Sequence, residues 1–339
     1  MASLYDVAKR AGVSKTLVSR TINGQSGVSE KSREKIMTAI KELQYEPNGL
    51  ARSLVLKRTH TIGVVMDTLC EPYFFKLIDG IERQVSQTGY DVVFRSGHNS
   101  TELKKRATQY FSQGRTDGML LYGSNLDDEK LIEGLMNSAF PFVVIENDLP
   151  NLNINNIVVD NKFGSRLAVD HLLDCGCRKI FHIGGDMRQK VAFDRRDGYV
   201  MAMQSHGLTV SSDMIIEADF SLQRGYQAIR DFIDTRGRDS LPDAFYCGAD
   251  NTAYGAMMAL EDAGLQIGAD IQMVGFDDDN PPMVDRRVPK LTTISQPLME
   301  MGKSAVEMLL NDIEHRPETK QRLQFFPELV LRETTCPKA

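Results

Sequence analysis

Apolar residues fall in two different rhythms along this chain, and the change comes near residue 60. Before it they recur at helical spacing. Val7, Ala8 and Ala11 form one small apolar face, Leu17, Val18 and Ile22 a second, and Ile36, Ile40 and Leu43 a third. Ser3, Ser14 and Ser29 stand just ahead of these stretches, where a hydroxyl can accept from the free N–H groups of a helix start. Asp6 adds a carboxylate to a first turn, where the helix dipole favours it. Gly12 supplies a sharp turn, Gly24 a stop, and Tyr45 and Pro47 close the third stretch. Three short helices are expected, the second over roughly Lys15 to Asn23.

From Thr61 onward the apolar residues come instead in runs of strand length. They are Ile62–Met66, Val92–Phe94, Met119–Tyr122, Phe142–Ile145, Ile157–Val159, Ile180–Ile183, Phe245–Cys247 and Met273–Phe276. Between most of them lie amphipathic stretches of helical length, such as Phe74–Gln87, Glu102–Gln113, Lys162–Asp174 and Thr252–Ala263. That alternation predicts parallel sheets covered on both faces by helices. The stretch is too long for one comfortable sheet, so two doubly wound lobes are expected. The fold class is an all-α head on an α/β body.

The exposed face of the second helix carries Lys15, Thr16 and Arg20, donors suited to base edges and phosphates. Two helices joined by a tight turn form a helix-turn-helix, which places its second helix in the major groove. Charge strengthens this reading. Residues 1–60 hold 11 Lys/Arg against 5 Asp/Glu, formally +6, and residues 61–339 hold 29 against 41, formally −12. A basic head on an acidic body is what an end that meets phosphate requires.

Composition narrows the rest. Across 339 residues, 42% hydrophobic and 25% charged content are those of an ordinary soluble globular protein. The start carries Asp6, Lys9 and Arg10 with no apolar core of a signal peptide, and no run is long enough to span a bilayer. A cytoplasmic protein without membrane contact is expected. Five scattered cysteines (Cys70, Cys175, Cys177, Cys247, Cys336) without C-x-x-C fit reduced thiols, with no metal site. Dispersed histidines and the absence of G-x-S-x-G or H-E-x-x-H argue against an enzyme, and no cofactor is expected. Gly184-Gly185 reads as a tight turn, and Asp277-Asp278-Asp279 lacks EF-hand spacing.

The segments YDVAKRAGVS, VSRTING, YEPNGLARSL, TIGVV, DGMLLYG, YGAMMALEDAGLQIGADIQMVGFDD and LTTISQP resemble, in order, the LacI/GalR family of bacterial transcription regulators. The resemblance implies a helix-turn-helix domain over 1–47, a hinge over 48–60 and a periplasmic-binding-protein-like body over 61–339. The body's N-lobe would take about 61–160 and 297–318, and its C-lobe about 161–295 and 319–339. Crossings between lobes would fall near Asp160–Asn161, near Gln296–Pro297 and around 316–322. DNA-contacting positions carried over are Ser3, Ser14, Lys15, Thr16, Ser19, Arg20, Asn23, Ser29, Ala51, Arg52 and Leu54. Asn48–Leu56 reads by itself as a linker, since Pro47 and Gly49 weaken a helix and the segment is short. The resemblance implies instead a hinge helix formed against DNA and a dimer mate. Leu54 would be its minor-groove wedge, Ala51 would allow close approach, and Arg52 would lie near phosphates.

Ligands in open α/β sheets sit beyond the carboxyl ends of the strands. Asp67, Tyr73, Phe74, Glu146, Arg195 (in the loop after IFHIGGD), Phe220, Asp277 and Gln296 fall at such places. A lone carboxylate there is ordinarily a cap or a solvated turn. Together these residues offer hydroxyl contacts and stacking faces. They also match the family's effector-contacting positions, most firmly Arg195, Asp277, Tyr73 and Phe220. Asp250 is expected to cap the helix that follows it. The family motif's Asn, a sugar contact in several members, is Ala249 here. Tyr73-Phe74 resembles the family's purine-binding member, but Gln189 and Val191 do not supply the polar partners used there.

The function expected is a repressor of a carbohydrate-utilisation operon, binding double-stranded palindromic operator DNA as a homodimer and controlled by a small-molecule effector, a sugar. One reading head contacts too few bases, and the leucine heptad tail that tetrameric family members append is not seen in ETTCPKA, so the resemblance implies a homodimer formed by the α/β body. The alternative is control by a partner protein or by a non-sugar metabolite such as a purine. A transport module without DNA function is a third reading, disfavoured by the missing signal peptide.

Overall fold

The computed structural model describes residues 2–22, 26–45, 58–98, 100–123, 125–279 and 289–335. The chain divides into two compact units, 1–60 and 61–339. In the first, α1 (Leu4–Ala11), α2 (Lys15–Ile22) and α3 (Glu30–Glu42) pack around Val7, Ala8, Val18, Ile36 and Ala39. The three serines do the capping. Ser3 and Asp6 form a reciprocal capping box, Ser14 Oγ accepts from Leu17 N at 3.2 Å, and Ser29 Oγ accepts from Ser32 N at 3.3 Å. Gly12 ends α1 in the left-handed region, at φ 66°, a conformation glycine adopts without steric cost.

The second unit holds two six-stranded sheets. In chain order the strands of the first are β1 (Thr61–Met66), β2 (Asp91–Ser96), β3 (Gly118–Gly123), β4 (Phe142–Glu146), β5 (Asn155–Val159) and β11 (Arg322–Phe325). They lie side by side as β11-β5-β4-β3-β1-β2, all parallel. The second sheet contains β6 (Ile180–Ile183), β7 (Ile215–Ile216), β8 (Ala244–Cys247), β9 (Gln272–Asp277), β10 (Thr292–Ser295) and β12 (Glu328–Val330). Its order is β12-β10-β9-β8-β6-β7, with only the β10–β12 pair antiparallel. Helices cover the sheets: α4 (Phe75–Val85), α5 (Thr101–Ser112), α6 (Glu129–Met136) and α11 (Leu298–His315) the first, and α7 (Asn161–Asp174), α8 (Lys190–Ser205), α9 (Leu222–Arg236) and α10 (Asp250–Asp262) the second.

The chain passes between the sheets at 160–161, at 296–297 and at 326–327. The last passage falls later than the 316–322 read from the sequence, and residues 319–325 belong with the first lobe. Arg322–Phe325 pairs in parallel with Asn156–Val159, so the strand is spent in the first sheet before the chain leaves it. The sequence reading had taken all of 319–339 for the second lobe.

Three helix pairs cross at glycines. A Cβ on Gly80 of α4 would lie 2.2 Å from the carbonyl oxygen of Met299, and one on Gly302 of α11 would lie 2.5 Å from that of Leu77. Gly225 and Gly255 stand in the same relation across α9 and α10, and Gly198 brings α8 onto α7 at Lys162. These contacts fix how closely neighbouring helices pack on the sheet they cover. No helix among the described residues is long and apolar enough to cross a membrane.

Candidate functional site

The body's cleft forms where strand carboxyl ends of both sheets come together. Asp67 follows β1, Glu146 ends β4 and Asp277 ends β9. Tyr73 and Phe74 lie in a 3-10 turn, Pro72–Phe74, with their rings edge to face at 5.0 Å. Phe220 follows β7. Arg195, expected in a loop, sits inside helix α8. That helix buries Val191, Ala192, Arg195, Gly198, Tyr199, Ala202 and Met203. The spacing is helical, but an arginine and a glycine among the buried positions blur its hydropathy pattern.

The cleft, counted with the solvent at its open mouth, has a volume of about 740 Å³, and Asp67, Tyr73, Phe74, Glu146, Arg195, Phe220 and Asp277 all line it. Gln296 lies behind them, donating Nε2 to the Tyr73 hydroxyl at 3.0 Å and to Asp277 Oδ1 at 2.8 Å. Glu71, Asp219 and Asn251 also line it; the first two sit in loops beside expected positions, where the strand-end rule reaches, and Asn251 lies in the first turn of α10. Tyr122 lines it as well, but it closes a uniformly apolar strand run and reads as core.

Arg195 is the centre of the polar network. It is 4% exposed. Nε donates to Asn161 Oδ1 at 2.9 Å, and Nη1 donates to the Gly248 carbonyl at 2.6 Å and to Asp277 Oδ1 at 3.2 Å. Its plane lies 3.8 Å from the Phe276 ring centroid and 5.6 Å from that of Phe220. These bonds use the Nε and Nη1 sides of the guanidinium fork. Phe220 reaches this place because Gly185 has no side chain: a Cβ there would lie 1.9 Å from its ring. The Gly184-Gly185 turn is therefore also a seat for an aromatic face.

Three lining residues hold positive φ without being glycine: Glu146 at 78°, Phe220 at 68° and Asp277 at 119°. Each such conformation costs on the order of 1–3 kcal/mol, and such strain gathers at ligand sites. Burial pushes the Glu146 carboxyl up to about 7, against the pull of the Arg195 charge. Burial also pushes Asp277 upward, and Arg195 draws it back. Glu146 Oε1 and Gln296 Oε1 are buried acceptors with no hydrogen-bond partner among the described residues. A group that brings N–H or O–H donors would satisfy both.

Asp250 departs from its expected role. Ala249 is the N-cap of α10, and the Asp250 carboxylate turns inward to accept from Thr293 Oγ1 at 2.6 Å and from Asp279 N at 2.8 Å. Gly275 makes room for it, since a Cβ there would lie 2.1 Å from Asp250 Oδ1. Asp278 pairs with Lys76 across the cleft at 3.0 Å, and with Arg332. The acidic run thus links segments of the body.

In the head, Lys15, Thr16 and Arg20 are exposed and Ser19 is half-buried. Ser3, Ser14 and Ser29 are exposed, with their hydroxyls at helix starts. Lys15 Nζ lies 4.8 Å from the ring centroid of Tyr5, an exposed aromatic that the spacing argument passed over. Asn23, Ala51, Arg52 and Leu54, with the rest of the expected hinge helix over 48–56, lie outside the described residues.

Residues 3–48 match the family model described as bacterial regulatory proteins, lacI family, and residues 169–335 match the periplasmic binding protein-like domain. The chain is 35% identical over 339 residues to the HTH-type transcriptional repressor PurR of Proteus mirabilis (strain HI4320), covering 99% of this chain and 97% of that protein. The chain belongs to the LacI family of bacterial regulatory proteins. PurR of Haemophilus influenzae (strain PittEE) is 34% identical over 338 residues, covering 98% of each protein. The lac repressor dimer bound to operator and the anti-inducer ONPF superposes with a TM-score of 0.87 at 29% identity, over 98% of this chain and 99% of that one. The CelR–cellobiose complex gives 0.73 at 28% identity, over 98% and 100%. This LacI-family chain is a DNA-binding transcriptional repressor with a helix-turn-helix head and a periplasmic-binding-protein-like body.

Proposed function

We propose that this repressor binds a palindromic operator as a homodimer and is controlled by a sugar held in the cleft, as the regulator of a carbohydrate-utilisation operon. One observation carries the effector class. Five carboxylates line the cleft (Asp67, Glu71, Glu146, Asp219 and Asp277) against one arginine, Arg195. A lining so rich in acceptors suits a ring of hydroxyls, each bringing its own donor. The unpartnered oxygens of Glu146 and Gln296 support the same reading.

The second reading is a purine, and the PurR relatives support it better than they support the sugar. The rings of Tyr73, Phe74 and Phe220 would serve its flat faces. Against it stand Gln189 and Val191, which line the cleft without the polar partners implied for that member. A DNA site selected from random palindromes, labelled for anisotropy and titrated with glucose, galactose, cellobiose, hypoxanthine and guanine, separates the two. A change in operator affinity with a sugar is expected. A response to a purine alone would replace the sugar reading, and a response to none would remove the effector site from the panel's chemistry.

Proton linkage gives an independent check. A ligand hydroxyl donates more strongly to the ionised Glu146 carboxylate than to the neutral acid, so binding should tighten as pH rises through about 7. From pH 6 to pH 8 the gain should be about tenfold, the change in the ionised fraction of one such group. Glu146→Gln should remove its share of the rise and leave that of Asp277, which burial also pushes up to about 7. A wild-type affinity independent of pH over this range would count against the contact.

DNA reading is tested at Arg20, whose exposed guanidinium can pair bidentately with guanine. Arg20→Ala should relax preference at one symmetric base pair and weaken binding by roughly 1–3 kcal/mol per contact. Unchanged base preferences in a selection experiment would sink the assignment.

A further inference from the structure

Beneath the cleft lies a lysine that the reading above does not use. Lys104 takes a place on the buried face of α5, in step with Ala107, Thr108 and Phe111, where an apolar side chain would be ordinary. It is fully buried, with Nζ 2.6 Å from Asp67 Oδ1 and 2.5 Å from Asp128 Oδ2. Two glycines clear its path. A Cβ on Gly97 would lie 2.6 Å from Lys104 Cγ, and one on Gly123 would lie 2.3 Å from Nζ.

The two carboxylates differ. Asp128 is closed off, its side chain 2% exposed, with Thr101 Oγ1 donating to its Oδ1 at 3.2 Å. Asp67 lines the cleft, and its side chain keeps 12% exposure. Burial raises the Asp67 carboxyl, and the Lys104 charge works against that rise. One lysine between two carboxylates leaves a buried group with a net charge of −1 and a single open edge, on the cleft side. Taking three charges out of water is costly and rarely favours stability over an apolar filling, so the arrangement calls for a role at that edge.

We propose that Lys104 is a positioning residue of the effector site: by holding one oxygen of Asp67 it keeps that carboxylate ionised and oriented, with the other oxygen as acceptor for a donor group of the ligand. The proposal rests on the cleft being the effector site, and Lys104 itself touches no ligand. It acts through Asp67 alone.

The test uses the full-length repressor with carboxyl-labelled aspartate followed by carbon NMR, and the tightest-binding member of the sugar and purine panel as probe. Lys104→Met should move the Asp67 titration up by one pH unit or more in the free protein. At pH 7 it should weaken probe binding at least tenfold, and the loss should shrink towards pH 9 as Asp67 ionises again. Asp67→Asn should weaken binding to a similar degree, and adding Lys104→Met to it should cost less than a further twofold. A second variant, Lys104→Met with Asp128→Asn, keeps the net charge of −1 and guards against simple misfolding. It should unfold at the wild-type temperature yet still bind the probe weakly. The proposal is overturned if Lys104→Met binds within twofold of wild type, if its loss is the same at every pH, or if the losses at Lys104 and Asp67 multiply. Should no panel member bind the wild type, the effector reading falls. An unmoved Asp67 titration would then overturn the positioning role too, and a moved one would uphold the hold of Lys104 on the carboxylate.

Discussion

Arg195→Ala should leave a repressor that binds its operator but no longer answers its effector. The guanidinium joins three places at once, Asn161 on α7, the Gly248 carbonyl and the Asp277 carboxylate. Its removal strands Asp277 as an unpaired buried charge and takes the donors away from the other two. Breaking a buried pair in this way costs roughly 3–5 kcal/mol, so urea unfolding should show a less stable body as well. Arg195→Lys should recover stability in part and the response hardly at all, because a point charge cannot reproduce the planar fork. Operator release by the wild-type effector at unchanged concentration in Arg195→Ala would refute the site. The ligand has to favour one lobe arrangement over the other, and loss of the response in this variant is the measure of that difference.

Gly255→Val should destabilise the body by about 3 kcal/mol or more. A Cβ at this position would sit 1.9 Å from the Leu222 carbonyl and 2.7 Å from Tyr226 N, while Gly225 opposite would meet the Thr252 carbonyl at 2.1 Å. Both obstacles are backbone, so a rotamer change brings no relief and the two helices must part. Gly134, inside α6, has open space where its Cβ would go, and Gly134→Ala should stabilise by up to roughly 1 kcal/mol through helix propensity. Denaturant midpoints of both variants decide the matter. A Gly255→Val protein as stable as the wild type would show that the crossing is looser than described.

The head was legible almost residue by residue, because capping serines, a turn glycine and helical spacing are local signals. In the body, the strands that carry Asp67, Glu146 and Asp277 could be read from their apolar runs, and strand ends are where ligands gather. What escaped the reading depends on tertiary context. Arg195 lies on a helix whose buried face includes an arginine. Asp250 looks like a cap and is an inward anchor, since the groups that receive it, Thr293 Oγ1 and Asp279 N, come from later in the chain. Lys104 is one of two lysines in LKKR, and only packing shows that its side chain is shut away. The strand Arg322–Phe325 has polar residues at alternate positions and sits at a sheet edge, so it lacks the unbroken apolar run that marks its neighbours.

The threading of the chain has a consequence for its birth on the ribosome. The first sheet is nearly complete once residue 159 has been made, yet the helix that supplies Leu298, Met301, Ala305, Val306 and Leu309 to its core comes from the far end of the gene. At translation rates of about 5–20 residues per second, that face waits roughly 7–30 s, covered only in part by α4 while most of the second lobe is being synthesised. A nascent chain in this condition offers apolar surface to any holdase at the tunnel exit. The repressor's yield should therefore follow chaperone supply more closely than the final stability of either lobe.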